Sequence, residues 1–274
     1  LIADGSDYFE TATWDGDSAS SRTIPTGFDP DFVWVKNRAV TGRSHYLYDV
    51  VRGFGANKEL VSNAANEEGS SGHATQNHGY VSGTTSTGFT LAAGATNSNY
   101  TNQSGQTYVG WAWNAGSTTD TNNTDGSITP TGVRATQSAG FSIVSYGNTS
   151  DGDTIGHGLS ASPHLIITKN RDSGSDWNVY FDGFGANDVI NLNNTDAKST
   201  SGSNTFIKGV SSTTFTVGSS SIVSGSDNYL ALCFAPVAGY SAFGSYTGNG
   251  SDDGPFVFTG MRPSWLLVKR STDT

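Results

Sequence analysis

An internal repeat limits the folds that are open to this chain. The pentapeptide Gly-Phe-Gly-Ala-Asn occurs at residues 53–57 and recurs unchanged at residues 183–187. Three segments also share a frame in which a Pro precedes, by six residues, a Lys that ends an apolar run, and they span residues 30–36, 163–169 and 263–269. Self-similarity of this kind is the sequence signature of a chain built from copies of one structural unit.

The spacing of the repeat predicts the domain boundaries. Similar motifs begin at Gly140 and Gly239, which gives a period of about one hundred residues, the size of a domain. We therefore expect a first complete unit at residues 1–116, a second at residues 140–238, and the start of a truncated third unit at residues 239–274. Residues 117–139 are rich in Ser, Thr, Asn, Asp and Gly, a composition that predicts a polar linker.

Composition and pattern predict an all-β fold, a tandem array of β-sandwich or jelly-roll-like units. The 35 glycines and many Ser, Thr, Asn and Asp residues form turn clusters between short apolar runs, whereas strong helix formers are scarce. The run at residues 32–35 is apolar at every position, as expected of a strand that is covered on both faces. Residues 55–61 have room for one short helix.

The charge of the chain excludes two classes of partner. With a formal net charge of −10 and no run of Lys or Arg, the chain has no basic surface to neutralise the phosphates of a nucleic acid. Membrane insertion is excluded because the most apolar window, residues 229–238, is about half the length of a span and contains Pro236. The single cysteine, Cys233, lies in that window and is expected to act as a small buried hydrophobe.

Several motifs of the chain are shared with a known family. They occupy residues 8–13, 27–38, 47–53 and 108–116 of the first unit and residues 154–159, 239–250 and 254–260 of the later units. With these motifs the chain resembles a repeated domain of unknown function found in virion structural proteins of tailed bacteriophages, especially tail-fibre-like proteins of marine phages. The resemblance extends over nearly all of the chain outside residues 117–139.

The resemblance implies a place on the virion surface and a non-enzymatic structural role in a tail fibre or appendage. The implied partners are copies of the chain itself and other virion proteins, with host surface glycans as a further partner in adsorption. No catalytic residue comes with the family. Three alternatives remain open, namely a carbohydrate-binding module of a secreted adhesin, a capsid decoration protein and a polysaccharide depolymerase.

Sequence motifs of enzymes are missing from the chain. It has no G-x-S-x-G elbow, no H-E-x-x-H and no P-loop. A glycosidase needs two carboxylates beside the scissile bond, yet none of the four glutamates has a counterpart in the second unit. We therefore predict a protein that is not an enzyme, with no catalytic and no cofactor-binding residues.

Two sets of side chains are candidates for metal binding, and neither is assigned an ion. Calcium is the ion that recurrent acidic turns would accept, and these turns contain Asp15, Asp17, Asp151, Asp153, Asp252 and Asp253. The competing interpretation is that Asp and Gly form ordinary hairpin turns. One loop has zinc or calcium ligand types at irregular spacing, with a solvated polar loop as the competing interpretation, and its members are Glu67, Glu68, His73 and His78.

Two of the six tryptophans are candidates for stacking on a sugar ring. Trp14 and Trp177 flank predicted turns, where an aromatic face is available to a flat ligand. The others lie at strand positions that different units fill with Ile, Leu or Phe, so we expect them in the core, namely Trp34, Trp111, Trp113 and Trp265. The Lys-Asn-Arg triplets at residues 36–38 and 169–171 are interpreted as strand ends that place charge in water.

Overall fold

Antiparallel strands make up most of the regular backbone. The computed structural model describes residues 2–70, 74–185, 187–200 and 206–272. Strands account for 38% of these residues and helices for 3%, which confirms the all-β prediction. The helical segments within these ranges are a 3-10 helix at Gly5–Asp7 and the α-helix α1 at Thr75–His78. Across the same ranges, no helix has the length and apolar character needed to cross a membrane.

The first unit consists of two sheets. Its strands are β1 (Phe9–Asp15), β2 (Ser21–Pro25), β3 (Phe32–Asn37), β4 (His45–Asp49), β5 (Leu60–Val61), β6 (Tyr80–Thr85), β7 (Gly88–Ala92) and β8 (Thr107–Trp113). The first large sheet has the order β1-β8-β3-β4-β5, and the first small sheet has the order β2-β7-β6. The predicted helix at residues 55–61 is wrong, because this segment forms turns and then pairs with β4 as strand β5.

The second unit repeats this arrangement. Its strands are β9 (Thr119–Asp120), β10 (Gly132–Thr136), β11 (Phe141–Thr149), β12 (Thr154–Gly156), β13 (Leu165–Asn170), β14 (Asn178–Phe181), β15 (Asp188–Asn191), β16 (Ser199–Thr200), β17 (Ile207–Val210), β18 (Thr214–Val217) and β19 (Gly225–Phe234). The second large sheet has the order β16-β15-β14-β13-β19-β11-β10-β9, and the second small sheet has the order β12-β18-β17. Its segment β15-β14-β13-β19-β11 matches β5-β4-β3-β8-β1, so the sequence repeat is also a repeat of topology.

Strand β3 shows why the first apolar run has no polar face. Val33 and Val35 pack in the core between the two sheets of the first unit. Phe32 and Trp34 point to the opposite side and pack against the second unit. Because successive side chains of a strand alternate between faces, a strand covered on both sides must be apolar throughout. The predicted burial on both faces is confirmed.

The two large sheets pack face to face and form a shared apolar cluster, which we call the central core. Its buried members are Phe32, Trp34, Leu47, Leu60, Trp113 and Ala115 of the first unit and Phe141, Ile143, Ile167, Trp177, Leu230 and Leu232 of the second. Separate cores lie between the large and small sheet of each unit. The molecule is therefore a stack of four layers in which the middle interface is as apolar as a domain interior.

Residues 117–139 are not a linker, which corrects the predicted boundary of the second unit. Strand β10 pairs with β11 along its full length, and β9 pairs with β10. The side chain of Val133 is buried in the core of the second unit. Thr is favoured in half-buried strands, so a Thr-rich segment whose composition resembles a linker can also form strands at the edge of a sheet.

Residues 242–272, all of which the structure describes, contain no strand. Just before this segment, an isolated bridge joins Val237 and Ser241, and at its start the ring of Phe243 contacts that of Phe234 at the end of β19. Large apolar side chains further on are exposed, and they are Tyr246, Phe256, Val257, Phe258, Leu266, Leu267 and Val268. Trp265 is different, because it packs against the central core.

Candidate functional site

A group of buried, hydrogen-bonded polar residues lies where the two units meet. We call this region the unit joint and define it as residues 61–68 of the first unit with residues 169–177 of the second. Trp177 is completely buried there, and its indole Nε1–H donates to the backbone carbonyl of Val61 at 2.8 Å. Its backbone N–H is also satisfied, because it donates to Oδ1 of Asn193 at 2.8 Å. This side chain is thus a structural part of the joint.

Lys169 is a fully buried cation in the unit joint. Its Nζ donates to the backbone carbonyls of Asn170 at 2.6 Å, Ser173 at 3.1 Å and Ala65 at 3.3 Å. Burial lowers the pKa of Lys169 to about 8, although Asp176 and Glu67 act in the opposite direction. Three donors and three acceptors match, so the ammonium group ties the first-unit chain at Ala65 to the second unit.

A cluster of charges lies beside this lysine. The carboxylate of Glu68 contacts Nε of Arg171 at 2.5 Å, Nη1 of Arg52 at 3.3 Å and Nζ of Lys58 at 3.6 Å. Burial alone would raise the pKa of Glu68, but Arg52 and Arg171 bring it below its usual value. The backbone N–H of Glu68 also donates to the carbonyl of Arg171 at 2.9 Å. One residue therefore joins the two units through both side chain and backbone.

Arg52 has no solvent-exposed side-chain surface. Its Nε donates to Oδ2 of Asp49 at 2.5 Å and its Nη1 to the carbonyl of Lys58 at 2.8 Å. Burial would lower the pKa of Arg52, but the carboxylates of Asp49 and Glu68 raise it above its usual value. Its Nη2 also donates to the carbonyl of Leu47 at 3.3 Å, so two carboxylates and two carbonyls surround this buried cation and hold its loop in place.

A second ion pair crosses between the units from strand β10. Arg134 donates to Oδ1 of Asp31 from Nε at 2.9 Å and from Nη2 at 2.8 Å. The other carboxylate oxygen of Asp31 accepts from the backbone N–H of Ala115 at 2.7 Å. Burial raises the pKa of Asp31, and the contacts with Ala115 and Arg134 oppose that effect. Residues 117–139 therefore contribute to the contact between the units.

The acidic turns occupy separate places on the surface. Asp17 pairs with Arg22 at 3.4 Å, Asp151 pairs with Lys208, and Asp153 accepts from the hydroxyl of Ser127 at 3.1 Å. The remaining carboxylates of this set are exposed and belong to Asp15, Asp252 and Asp253. Among the described residues, no group of three or more His, Cys, Asp or Glu side chains is placed to hold a metal ion. The calcium hypothesis gains no support from this arrangement.

The loop proposed as a second metal site is divided in the structure. Glu68 belongs to the charge cluster of the unit joint, whereas Glu67 is exposed. The Nδ1 atom of His78 lies 3.0 Å from Oδ1 of Asn97, on a different part of the first unit. His73 lies outside the described residues. The three described members thus have different surroundings.

The two tryptophans proposed as sugar contacts are both buried, which corrects that prediction. Trp177 is 0% exposed and Trp14 is 7% exposed. The indole of Trp14 stacks on Tyr108 at 5.6 Å, and its Nε1–H donates to the carbonyl of Thr101 at 2.9 Å. Both rings flank turns in the sequence, but the neighbouring sheet or unit covers their faces. Neither offers a stacking surface to a ligand.

The interpretation of the Lys-Asn-Arg triplets is also wrong in the second unit. Lys169 and Asn170 are buried there, and Arg171 is part of the charge cluster of the joint. The available sequence signal for this site was the position of the triplet, whose first two residues end an apolar strand in both units. Sequence reasoning did not select Arg52 and Asp31 as site residues, and it selected Glu68 only as a candidate metal ligand and not as a contact between the units. Cys233 is buried as expected, and burial raises the pKa of its thiol to about 12.

A cavity of about 290 Å³ lies away from the joint, beside strand β14 and the second Gly-Phe-Gly-Ala-Asn loop. Its described lining includes Tyr180, Phe184 and Lys208, with Asp188 as the carboxylate. That carboxylate is engaged by Lys198 and by the hydroxyl of Thr200 at 2.7 Å. A pair of carboxylates at catalytic separation, which a depolymerase needs, is not brought together by this described lining.

Comparison with known proteins identifies the family. A family model with the description "Domain of unknown function (DUF7483)" matches residues 4–274. The chain belongs to this family. Comparisons with curated proteins and with solved structures found no match.

Proposed function

We propose that this protein is a non-enzymatic structural component of a tailed-phage particle, located in a tail fibre or appendage on the virion surface. The observation that carries the proposal is the central core, which joins the two units through buried apolar side chains from both large sheets. Units that share such a core do not move independently. A rigid, repeated element of this kind suits a long fibre, whose successive units must keep a fixed orientation to one another.

The unit joint supports the same proposal. Its polar groups are paired across the units, at Trp177 with Val61, Lys169 with Ala65 and Glu68 with Arg171. Flexible linkers between units would leave such groups in water, where each contact contributes little. The motifs that resemble phage virion proteins occur in both units, and this resemblance is the support for a location on a phage particle.

The proposed partners are copies of the chain itself and other virion proteins. The support for these partners is the same resemblance to virion structural proteins. Host surface glycans remain the proposed partner in adsorption, through the hydroxyl and amide groups of a weakly charged surface and not through Trp14 or Trp177.

Mass spectrometry of washed, purified phage particles tests the proposal. We expect the protein in a constant number of copies per particle, and immunogold electron microscopy should place it on the tail. Its presence in the infected-cell lysate but not in washed particles would contradict a virion role. Label confined to the head would instead indicate a capsid decoration protein. A glycan array tests the adsorption role separately, and no binding at high protein concentration would remove that role.

A further inference from the structure

Residues 239–272, which we call the C-terminal segment, contact the second unit in the way that the second unit contacts the first. The backbone N–H of Glu68 donates to the carbonyl of Arg171 at 2.9 Å, and the backbone N–H of Lys198 donates to the carbonyl of Ser271 at 3.0 Å. In the repeat frame, Lys198 is the counterpart of Glu68, and Ser271 is the counterpart of Arg171. The same contact therefore occurs twice along the chain.

A second contact confirms this correspondence. Lys169 donates from Nζ to the carbonyl of Ala65 in the first unit, and its counterpart Lys269 donates from Nζ to the carbonyl of Asn194 in the second. Asn194 is one residue before the counterpart of Ala65. The equivalence of the two loops is supported by Asn63 and Asn193, whose Oδ1 atoms each accept one backbone N–H, from His45 and Trp177 respectively.

The C-terminal segment also touches the first unit. The indole ring of Trp265 lies 5.5 Å from that of Trp113 and 6.3 Å from that of Trp34, both on the first large sheet. Trp265 occupies the same place in the repeat as Phe32 and Leu165, which pack at the central core from the other two units. Side chains from all three copies of this position therefore meet around one apolar centre.

We propose that residues 239–272 are the opening part of a third β-sandwich unit of this repeat, and that the completed unit closes a ring of three around the central core. A head-to-tail contact that recurs between successive units generates either an open array or a closed ring. The contact of Trp265 with the first unit selects the ring. The remainder of such a unit, with strands equivalent to β14–β19, would then cover the exposed apolar side chains of residues 246–268.

Ring closure predicts a specific contact between the first and third units. Closure requires the loop of the third unit that corresponds to Glu68 and Lys198 to meet the chain at Arg38, the counterpart of Arg171 and Ser271. Lys36 has no preceding unit to contact in the structure and donates instead to the carbonyl of Arg43 in its own unit at 2.6 Å. In the closed ring, its Nζ would meet the loop of the third unit, as the Nζ atoms of Lys169 and Lys269 meet the loops of the first and second units.

An extended chain supplies the proposed occupant. Residues 1–269 are followed by a second copy of residues 170–238, which provides the strands that follow Lys169 in the second unit. We expect amide hydrogen exchange at residues 264–268 to slow by at least tenfold on extension. The matched control carries Leu230→Ser and Leu232→Ser in the appended copy, the two positions that face the central core, and should show less protection. If amide exchange at residues 264–268 were unchanged in the extended chain, the proposal of a third unit would be overturned.

Engineered disulfides test the contacts separately from the folding of the appended part. In the natural chain, Lys198→Cys with Ser271→Cys should form an intramolecular disulfide, and failure to form it would overturn the repeated contact. In the extended chain, Arg38→Cys should cross-link with Lys198→Cys of the appended copy. Protection of residues 264–268 without this cross-link would overturn ring closure and indicate an open array. The proposal does not depend on a virion location.

Discussion

Equivalent residues of the repeat acquire different properties from their surroundings. Lys36 and Lys169 end the same strand, yet Lys36 is half-buried and Lys169 is fully buried, because residues 61–68 of the first unit cover only the second of them. His45 and Trp177 likewise occupy one position, but only Trp177 donates across the unit joint. The sequence shows these equivalences. It cannot show which copy a neighbouring unit covers, so the burial of Lys169 was not predictable.

Lys169→Met tests the burial of this cation. The pKa of Lys169 is about 8 in the folded protein, below the usual lysine value, so between pH 8 and 10.5 the unfolded chain binds more protons. The free energy of unfolding should therefore rise with pH across this window, by on the order of 2 kcal/mol from this group. Urea unfolding at several pH values should show a smaller rise in the variant. Identical pH dependence in both proteins would contradict a buried ammonium.

His45→Gln tests a neutral, half-buried imidazole. Burial, with a contribution from Lys36, lowers the pKa of His45 to about 4, and its Nδ1 accepts the indole N–H of Trp34 at 2.9 Å. From pH 6.5 down to 4 the unfolded chain binds the extra proton, so the protein should lose stability as the pH falls. The glutamine variant keeps an acceptor but does not titrate, and it should show a weaker loss in urea unfolding. An equal loss would rule out His45 as its source.

The strands predicted from sequence were those with an unambiguous pattern. The apolar run of β3, with Phe32 and Trp34 on one face and Val33 and Val35 on the other, predicted a central strand covered on both sides. Strands β9 and β10 were missed because their polar residues are those of a linker, and only Val133 signals a buried position. Pairing with β11, a long-range interaction, decides between the two outcomes.

Val133→Ala measures how far residues 117–139 belong to the second unit. Removing two methyl groups from a buried position should reduce the free energy of unfolding by about 1–2 kcal/mol. Thr129→Ala, at an exposed position of the same segment, serves as the control and should change stability little. Equal, negligible effects of both substitutions in urea unfolding would support a free linker instead.

The packing of whole units was the least predictable level. The period of the repeat predicted two similar units, but no local pattern states which faces of two sandwiches meet. In strand β19, the face with Leu230 and Leu232 and the opposite face with Tyr229 and Ala231 are both apolar. The sequence therefore does not indicate which face meets the first unit. The charged residues of the joint, such as Glu68 and Arg171, come together over 103 positions of sequence. Their contact depends on the completed fold.

Glu68→Gln tests the charge cluster as part of the joint. Without the carboxylate, Arg171 loses its ion pair and Arg52 keeps only Asp49, so we expect a loss of about 3 kcal/mol in the free energy of unfolding. Glu67→Gln, a substitution at the exposed neighbour, is the matched control. A loss no larger than that of the control in urea unfolding would show that the cluster does not stabilise the joint.

Differential scanning calorimetry of the natural chain tests most directly whether the two units form one body. Because the central core and the unit joint connect them, unfolding either unit exposes apolar surface of the other. We predict a single transition whose calorimetric and van't Hoff enthalpies agree for the whole chain. Two resolved transitions, with each unit unfolding at its own temperature, would contradict the rigid joint on which the proposed function rests.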